Sequence, residues 1–194
     1  MNLPNHPHSS RTLNGMRISF DIDDTLVCQS DHADAEKCVV PAAIHRWLGE
    51  PLRFGTRALI RELRRRGCSI WIYTSSGRSP FYIRRWLLLH GIHVDGVVNG
   101  ERHRNGLATH GFSHSPSKFP PAFGIDLHVD DSEGVRMEGD AHGFRVIVVR
   151  PDDPHWTLHV LEAVSRAQGF RQQAGKPASL NVVLPKVVDY RQSA

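Results

Sequence analysis

The 194-residue sequence has only three cysteines, Cys28, Cys38 and Cys68. An odd number without paired metal-ligand spacing argues against a disulfide framework and for reduced thiols. Long apolar runs are also missing. No stretch approaches the roughly 18 residues a membrane-spanning helix needs, and the N-terminal region has no hydrophobic signal core. Nor is charge of one sign concentrated. The net charge of +4 is mildly basic, but the cations are scattered apart from Arg64-Arg65-Arg66 and Arg102-His103-Arg104. The first triplet closes a helical pattern just before Gly67, where cations meet the negative end of the helix dipole, so it reads as a helix terminus rather than a nucleic-acid patch. These absences lead to the expectation of a soluble cytoplasmic protein with no membrane partner, for which nucleic acid enters only as a phosphoester substrate.

Residues 1–15 are rich in Pro, His, Ser and Asn with little to pack, and are expected to be a loosely attached tail. Met16, directly before the first strand pattern, is a second candidate start of translation. Residues 16–170 read as one domain and 171–194 as an extension of uncertain structure, in which Leu180 to Leu184 could add an edge strand. Within the domain, Met16, Ile18 and Phe20 alternate with Arg17 and Ser19, the pattern of a short strand. Residues 28–55 form an irregular connection, expected to be a flap or small cap, with an acidic run at 31–36 and an apolar patch around Ile44, Trp47 and Leu48. A helix is expected over Thr56 to Arg66, a doubly covered strand over Ser69 to Tyr73, and a helix capped by Ser79 and Pro80 and stopped at Gly91. Then come a strand over Val94 to Val98, a long polar loop over Asn99 to Pro121, strands over Ile125 to Val129 and Phe144 to Val149, and a last helix. That helix is expected to start at Asp153-Pro154 and to bury Leu158, Leu161 and Val164. Strand and helix in alternation imply a three-layer α/β/α, Rossmann-like fold around a mainly parallel sheet of about five strands. Such sheets bind ligands beyond the carboxyl ends of their strands.

The polar residues of interest fall at those ends. Asp21, Asp23 and Asp24 follow the first strand, Thr74 and Ser75 the second, Asp130 and Asp131 the fourth, and Lys118 lies in the loop before it. By period two, Asp21 and Asp23 share a side, and two carboxylates so placed repel unless a cation intervenes or one stays protonated. Hard oxygen ligands suit Mg²⁺. Each component has a bland alternative. Asp21 and Asp23 could close the strand in an Asx-type turn, Thr74, Asp130 and Asp131 could cap helices, and Lys118 could be a solvated charge. Arg78 and Arg102-His103-Arg104 lie on the same edge as possible anion binders, although a solvated loop is the plainer account of the triplet. His155 and His159, four apart on the last helix, have no third metal ligand nearby.

The ordered set Asp21-Ile22-Asp23-Asp24-Thr25, Thr74, Lys118 and Asp130-Asp131 resembles the four motifs of the haloacid dehalogenase (HAD) superfamily of phosphohydrolases, over about Met16 to Arg150. The resemblance implies Asp21 as nucleophile, Asp23 as general acid/base, and Thr74, Ser75 and Lys118 as phosphate-binding residues. It also implies Mg²⁺ held by Asp21, Asp23 and the closing acidic pair, with Asp131 the first choice and Asp130 in support. The expected activity is Mg²⁺-dependent hydrolysis of a phosphomonoester through an aspartyl-phosphate. The alternatives are transfer of that phosphoryl group to an alcohol and a non-hydrolytic, phospho-responsive binding module. The intact Asp23 favours turnover over a long-lived phospho-switch. A connection as short as 28–55 leaves the site open, suiting a macromolecular phosphoester or a small substrate covered by a second subunit of a homo-oligomer.

Overall fold

A computed structural model describes residues 15–27, 34–37, 41, 50–108, 110–112 and 114–174. The expected N-terminal tail (but for Gly15), the apolar patch of the flap and the edge strand at 180–184 lie outside the described residues. Five strands, β1 (Arg17–Phe20), β2 (Ser69–Tyr73), β3 (Gly96–Val98), β4 (Leu127–Asp130) and β5 (Val146–Val148), form one sheet in the order β3-β2-β1-β4-β5. Every pairing is parallel. Among the described residues, five helices accompany them: α1 (Thr56–Arg65), α2 (Pro80–Leu89), α3 (Gly100–Leu107), α4 (Glu133–His142) and α5 (Trp156–Ala174). The fold is the expected three-layer α/β arrangement. After β1 the chain winds out through β2 and β3, then returns to the other side of β1 for β4 and β5. The crevice at such a reversal, at the carboxyl ends of β1 and β4, is where an open parallel sheet presents a site.

The two faces of the sheet are unequal, and β1 decides why. Ile18 and Phe20 point to one face and are fully buried with Ile70, Ile72, Leu127 and Val129. Against them pack Leu59 and Leu63 of α1, Ile83, Trp86 and Leu87 of α2, and Trp156, Val160 and Val164 of α5. Each such side chain contributes about 1.5–3 kcal/mol by leaving water. The other face carries Ser19 and His128, aligned across the β1–β4 pair and both fully buried. Its apolar cluster is small: Tyr73, Val98 and Ile125, flanked by Trp71 and Phe123. Trp71 is covered there by guanidinium groups, Arg17 at 4.4 Å and Arg102 at 5.3 Å from the ring centroid. The doubly covered β2 is therefore covered by cations on one side.

Two expectations need correction. Residues 99–121 are not one loop, because α3 and a 3₁₀ turn, Pro120–Phe123, lie within and beside them. Asn99 caps α3 by accepting a hydrogen bond from the Arg102 amide, but two glycines hide the helix in the sequence. Their reason is packing: a Cβ on Gly106 would fall 2.6 Å from the Phe123 ring, and one on Gly100 2.8 Å from the Ser75 carbonyl oxygen. The last helix begins at Trp156, with Asp153 accepting from the His155 amide at 2.8 Å. Its buried face is Trp156, Val160, Val164 and Ala167, whereas Leu158 is 54% exposed. Leu158 is two positions past Trp156, about 200° around the helix, so it faces away.

Candidate active site

The strand hydrogen bonds of β1 end with the Asp21 amide, which donates to the Val129 carbonyl at 2.9 Å. From Ile22 the chain turns tightly: the amides of Leu26 and Val27 both donate to the Ile22 carbonyl, and Asp24 takes a left-handed φ of 54°. Asp24 is thus a turn residue, as its short polar side chain allows. The two other carboxylates have different partners. Asp21 is 5% exposed and faces Lys118, whose Nζ lies 2.7 Å from Oδ1. Asp23, beyond the end of the strand, is gripped by Arg78 through two hydrogen bonds of 2.8 and 2.9 Å.

Burial raises the Asp21 pKa to about 6, against the opposing Lys118 charge and with Asp130 adding to the rise. The ammonium contact at Oδ1 pulls the pKa back down without cancelling the effect of burial. Lys118 itself is buried between two acids, with Asp130 Oδ2 at 2.5 Å on its other side. Burial works against its charge, but Asp21 and Asp130 outweigh that and raise its pKa. The Lys118 segment is tied down from two directions. Glu138 of α4 accepts from the amides of Ser117 and Lys118 and from the Ser117 hydroxyl, while the Phe119 amide donates to the Tyr73 hydroxyl at 2.8 Å.

Thr74, at the end of β2, is fully buried; its amide donates to the Val98 carbonyl and its Oγ1 accepts from the Ser76 amide at 3.1 Å. The Thr74 hydroxyl proton is left to donate elsewhere. Ser75 is exposed, whereas the buried Ser76 hydroxyl oxygen has no partner among the described residues. At the end of β4 the acidic pair divides. Asp130 is saturated: Oδ2 accepts from Lys118 and from His128 Nε2 (2.9 Å), and Oδ1 accepts from the Ser132 amide. Although burial opposes its charge, the His128 hydrogen bond and Lys118 hold its pKa far below the usual carboxylate range. Asp131 is half-buried, and its pKa is raised by burial, then by Asp130 and Asp24. Neither acid caps α4, because Ser132 does so by accepting from the Val135 amide.

Several residues have roles the sequence did not announce. His128 and Ser19 extend the polar chain inward, Ser19 Oγ lying 2.8 Å from His128 Nδ1. Their signal was available: Ser19 is two residues before Asp21, and His128 two before Asp130, so each shares a strand face with a site acid. Glu50 shares Arg78 with Asp23, accepts from the Tyr82 hydroxyl, and offers its carbonyl to Trp86 of α2. Arg78 is therefore committed to carboxylates rather than waiting for an anion. Arg102 donates to the Val97 carbonyl and lies over Trp71 and Phe123, and His103 Nδ1 is 2.6 Å from the Tyr73 hydroxyl. His155 and His159 do not pair; Asp153 lies 2.8 Å from His159 Nδ1.

Among the described residues no three His, Cys, Asp or Glu side chains come together as a metal cluster. Mg²⁺ does not require one, since it usually takes one or two protein carboxylates and keeps several waters. Asp21 and Asp131 are hard oxygen donors whose charged forms burial disfavours, and a cation would favour those forms. The donor set fits a hard divalent cation.

No protein-family model and no curated protein matches the sequence. Among solved structures, the chain is similar over 80% of its length to a predicted HAD-like family hydrolase from Porphyromonas gingivalis, covering 98% of that chain at 12% identity and a TM-score of 0.40. It is also similar, over 80% of its length and 90% of the other chain, to the cobalt-bound form of a deoxy-D-mannose-octulosonate 8-phosphate phosphatase from Haemophilus influenzae, at 15% identity and a TM-score of 0.41. By description the first is a HAD-like hydrolase and the second a phosphatase. No helix among the described residues is long and apolar enough to cross a membrane.

Proposed function

We propose that the chain is a Mg²⁺-dependent phosphomonoesterase that works through an aspartyl-phosphate on Asp21. The observation that carries this reading is the buried Asp21 carboxylate beside the buried Lys118 ammonium, at the mouth of a parallel sheet. Asp21 attacks phosphorus and the bond to the leaving oxygen breaks, while Lys118 compensates charge on the transferring group. The Thr74 hydroxyl, together with Ser75 and neighbouring amides, binds the remaining phosphate oxygens. Asp23 protonates the leaving alkoxide, then takes a proton from the water that attacks phosphorus and frees Asp21. To do so it gives up its pairing with Arg78, takes up a proton from solvent and turns to the substrate. Mg²⁺, held by the carboxylates of Asp21 and Asp131 and the Asp23 carbonyl, would supply charge neutralisation and alignment of the phosphoryl group. Asp130, already saturated, supports by holding Lys118.

The test is hydrolysis of an aryl phosphate by the full chain. Turnover is expected with Mg²⁺, and neither in EDTA nor with Asp21→Asn. Undiminished activity of a folded Asp21→Asn protein would overturn the assignment.

A further inference from the structure

The chain of side chains behind Asp21 is longer than phosphoryl transfer itself demands. It runs from Ser19 Oγ to His128 Nδ1 (2.8 Å), from His128 Nε2 to Asp130 Oδ2 (2.9 Å), from there to Lys118 Nζ (2.5 Å), and on to Asp21 Oδ1 (2.7 Å). Ser19 and His128 are fully buried and Asp130 is 1% exposed. The partners fix one end of the imidazole. A carboxylate only accepts, so Nε2 carries a hydrogen and donates to Asp130, while Nδ1 faces the Ser19 hydroxyl, which holds the ring from the other end.

We propose that His128 is a positioning residue for Lys118: oriented by Ser19, it fixes the Asp130 carboxylate and thereby sets the ammonium against Asp21. The inference rests on the reading of this site as a phosphate centre. The geometry explains the need. Among the described residues Asp130 is anchored through Oδ1 by the Ser132 amide alone, and Lys118 touches Oδ2. Without the fixed donor at Nε2, Oδ2 is held only by the long, rotatable lysine it is meant to place. The imidazole ring is in turn immobilised, with the Tyr73 ring 5.5 Å away on its own face of the sheet and the Ser19 hydroxyl behind it. An ordinary core histidine would satisfy its nitrogens on backbone groups. Here both nitrogens serve side chains in a line that ends at the proposed nucleophile.

The experiment separates the two nitrogens. In the full chain, His128→Gln can still present a donor near the Nε2 position, His128→Asn retains only a group near Nδ1, and His128→Met removes both. Affinity for orthovanadate, with kcat and KM on an aryl phosphate and the thermal midpoint, is measured for each. Outer partners of metal ligands typically change affinity or activity about 10–100-fold, and the same order is expected for a residue that positions the lysine. Weakening of that order is expected for Asn and Met, with recovery toward wild type for Gln. In a Lys118→Met background, His128→Asn should add little further loss, because the effect passes through the lysine. A folded Gln variant as impaired as Met, or losses that add fully to those of Lys118→Met, would overturn the positioning role. If the wild-type chain neither binds orthovanadate nor hydrolyses the ester, it is the phosphatase reading that fails.

Discussion

Asp21 is costly to the folded protein. Its carboxyl rises from 3.8 to about 6 on folding even with Lys118 beside it. That difference corresponds to on the order of 3 kcal/mol against the ionised form. The sign follows from proton linkage. Below about pH 4 both folded and unfolded states are protonated at this position and the group costs nothing. As pH rises toward 6 the unfolded chain loses its proton first, so stability falls, and above 6 the full penalty remains. Asp21→Asn is nearly isosteric and removes the charge, so at pH 7.5 in EDTA it should be more stable than wild type by up to about 3 kcal/mol. In a chain of this length that amounts to several degrees in Tm, at about 2–4 °C per kcal/mol. Urea unfolding of both proteins from pH 4 to 8 measures the difference directly and cancels the other titrating groups. The gap should vanish toward pH 4. Millimolar Mg²⁺ should then stabilise the wild type and leave the variant unmoved, narrowing or reversing the gap. A variant no more stable than wild type at pH 7.5, with a difference flat in pH, would refute the claim that Asp21 is a buried charge that Lys118 compensates only in part.

The same raised carboxylates make cation binding expel protons. Mg²⁺ affinity should weaken by up to about tenfold per pH unit below 6, and calorimetry in buffers of different ionisation enthalpy should read net proton release. Arg78→Met strips the cation from both Asp23 and Glu50. Because these groups are partly exposed the expected loss is only about 1 kcal/mol by urea unfolding, accompanied by an altered kcat as Asp23 loses its resting partner. Gly100→Ala places a methyl 2.8 Å from the Ser75 carbonyl oxygen, so it should displace the Thr74–Ser76 turn, cost about 1–3 kcal/mol and raise KM for an aryl phosphate.

What could be read in advance follows from how local the determining physics is. The alternation in Met16 to Phe20 and the apolar run at Ile70 to Tyr73 are direct consequences of burial in a parallel sheet, and they placed Asp21, Thr74, Asp130 and Asp131 at one edge. Ser79-Pro80 marked the start of α2 because capping is a matter of a few neighbouring residues. Helix α3 was hidden because its glycines answer to Phe123 and the Ser75 carbonyl, partners distant in sequence. Leu158 misled because an apolar residue can sit on the solvent side of a helix whose buried face is Trp156, Val160, Val164 and Ala167. The Arg78–Glu50 pairing joins segments 28 residues apart, and no local pattern encodes it.

The most direct test of the account is to trap the intermediate. The chain is mixed with Mg²⁺ and an aryl phosphate, quenched within a turnover, treated with borohydride to reduce acyl phosphates to alcohols, and mapped by peptide mass spectrometry. The account predicts homoserine at position 21, dependent on Mg²⁺ and substrate. Brisk turnover with Asp21 unmodified, or reduction at another carboxylate, would contradict it.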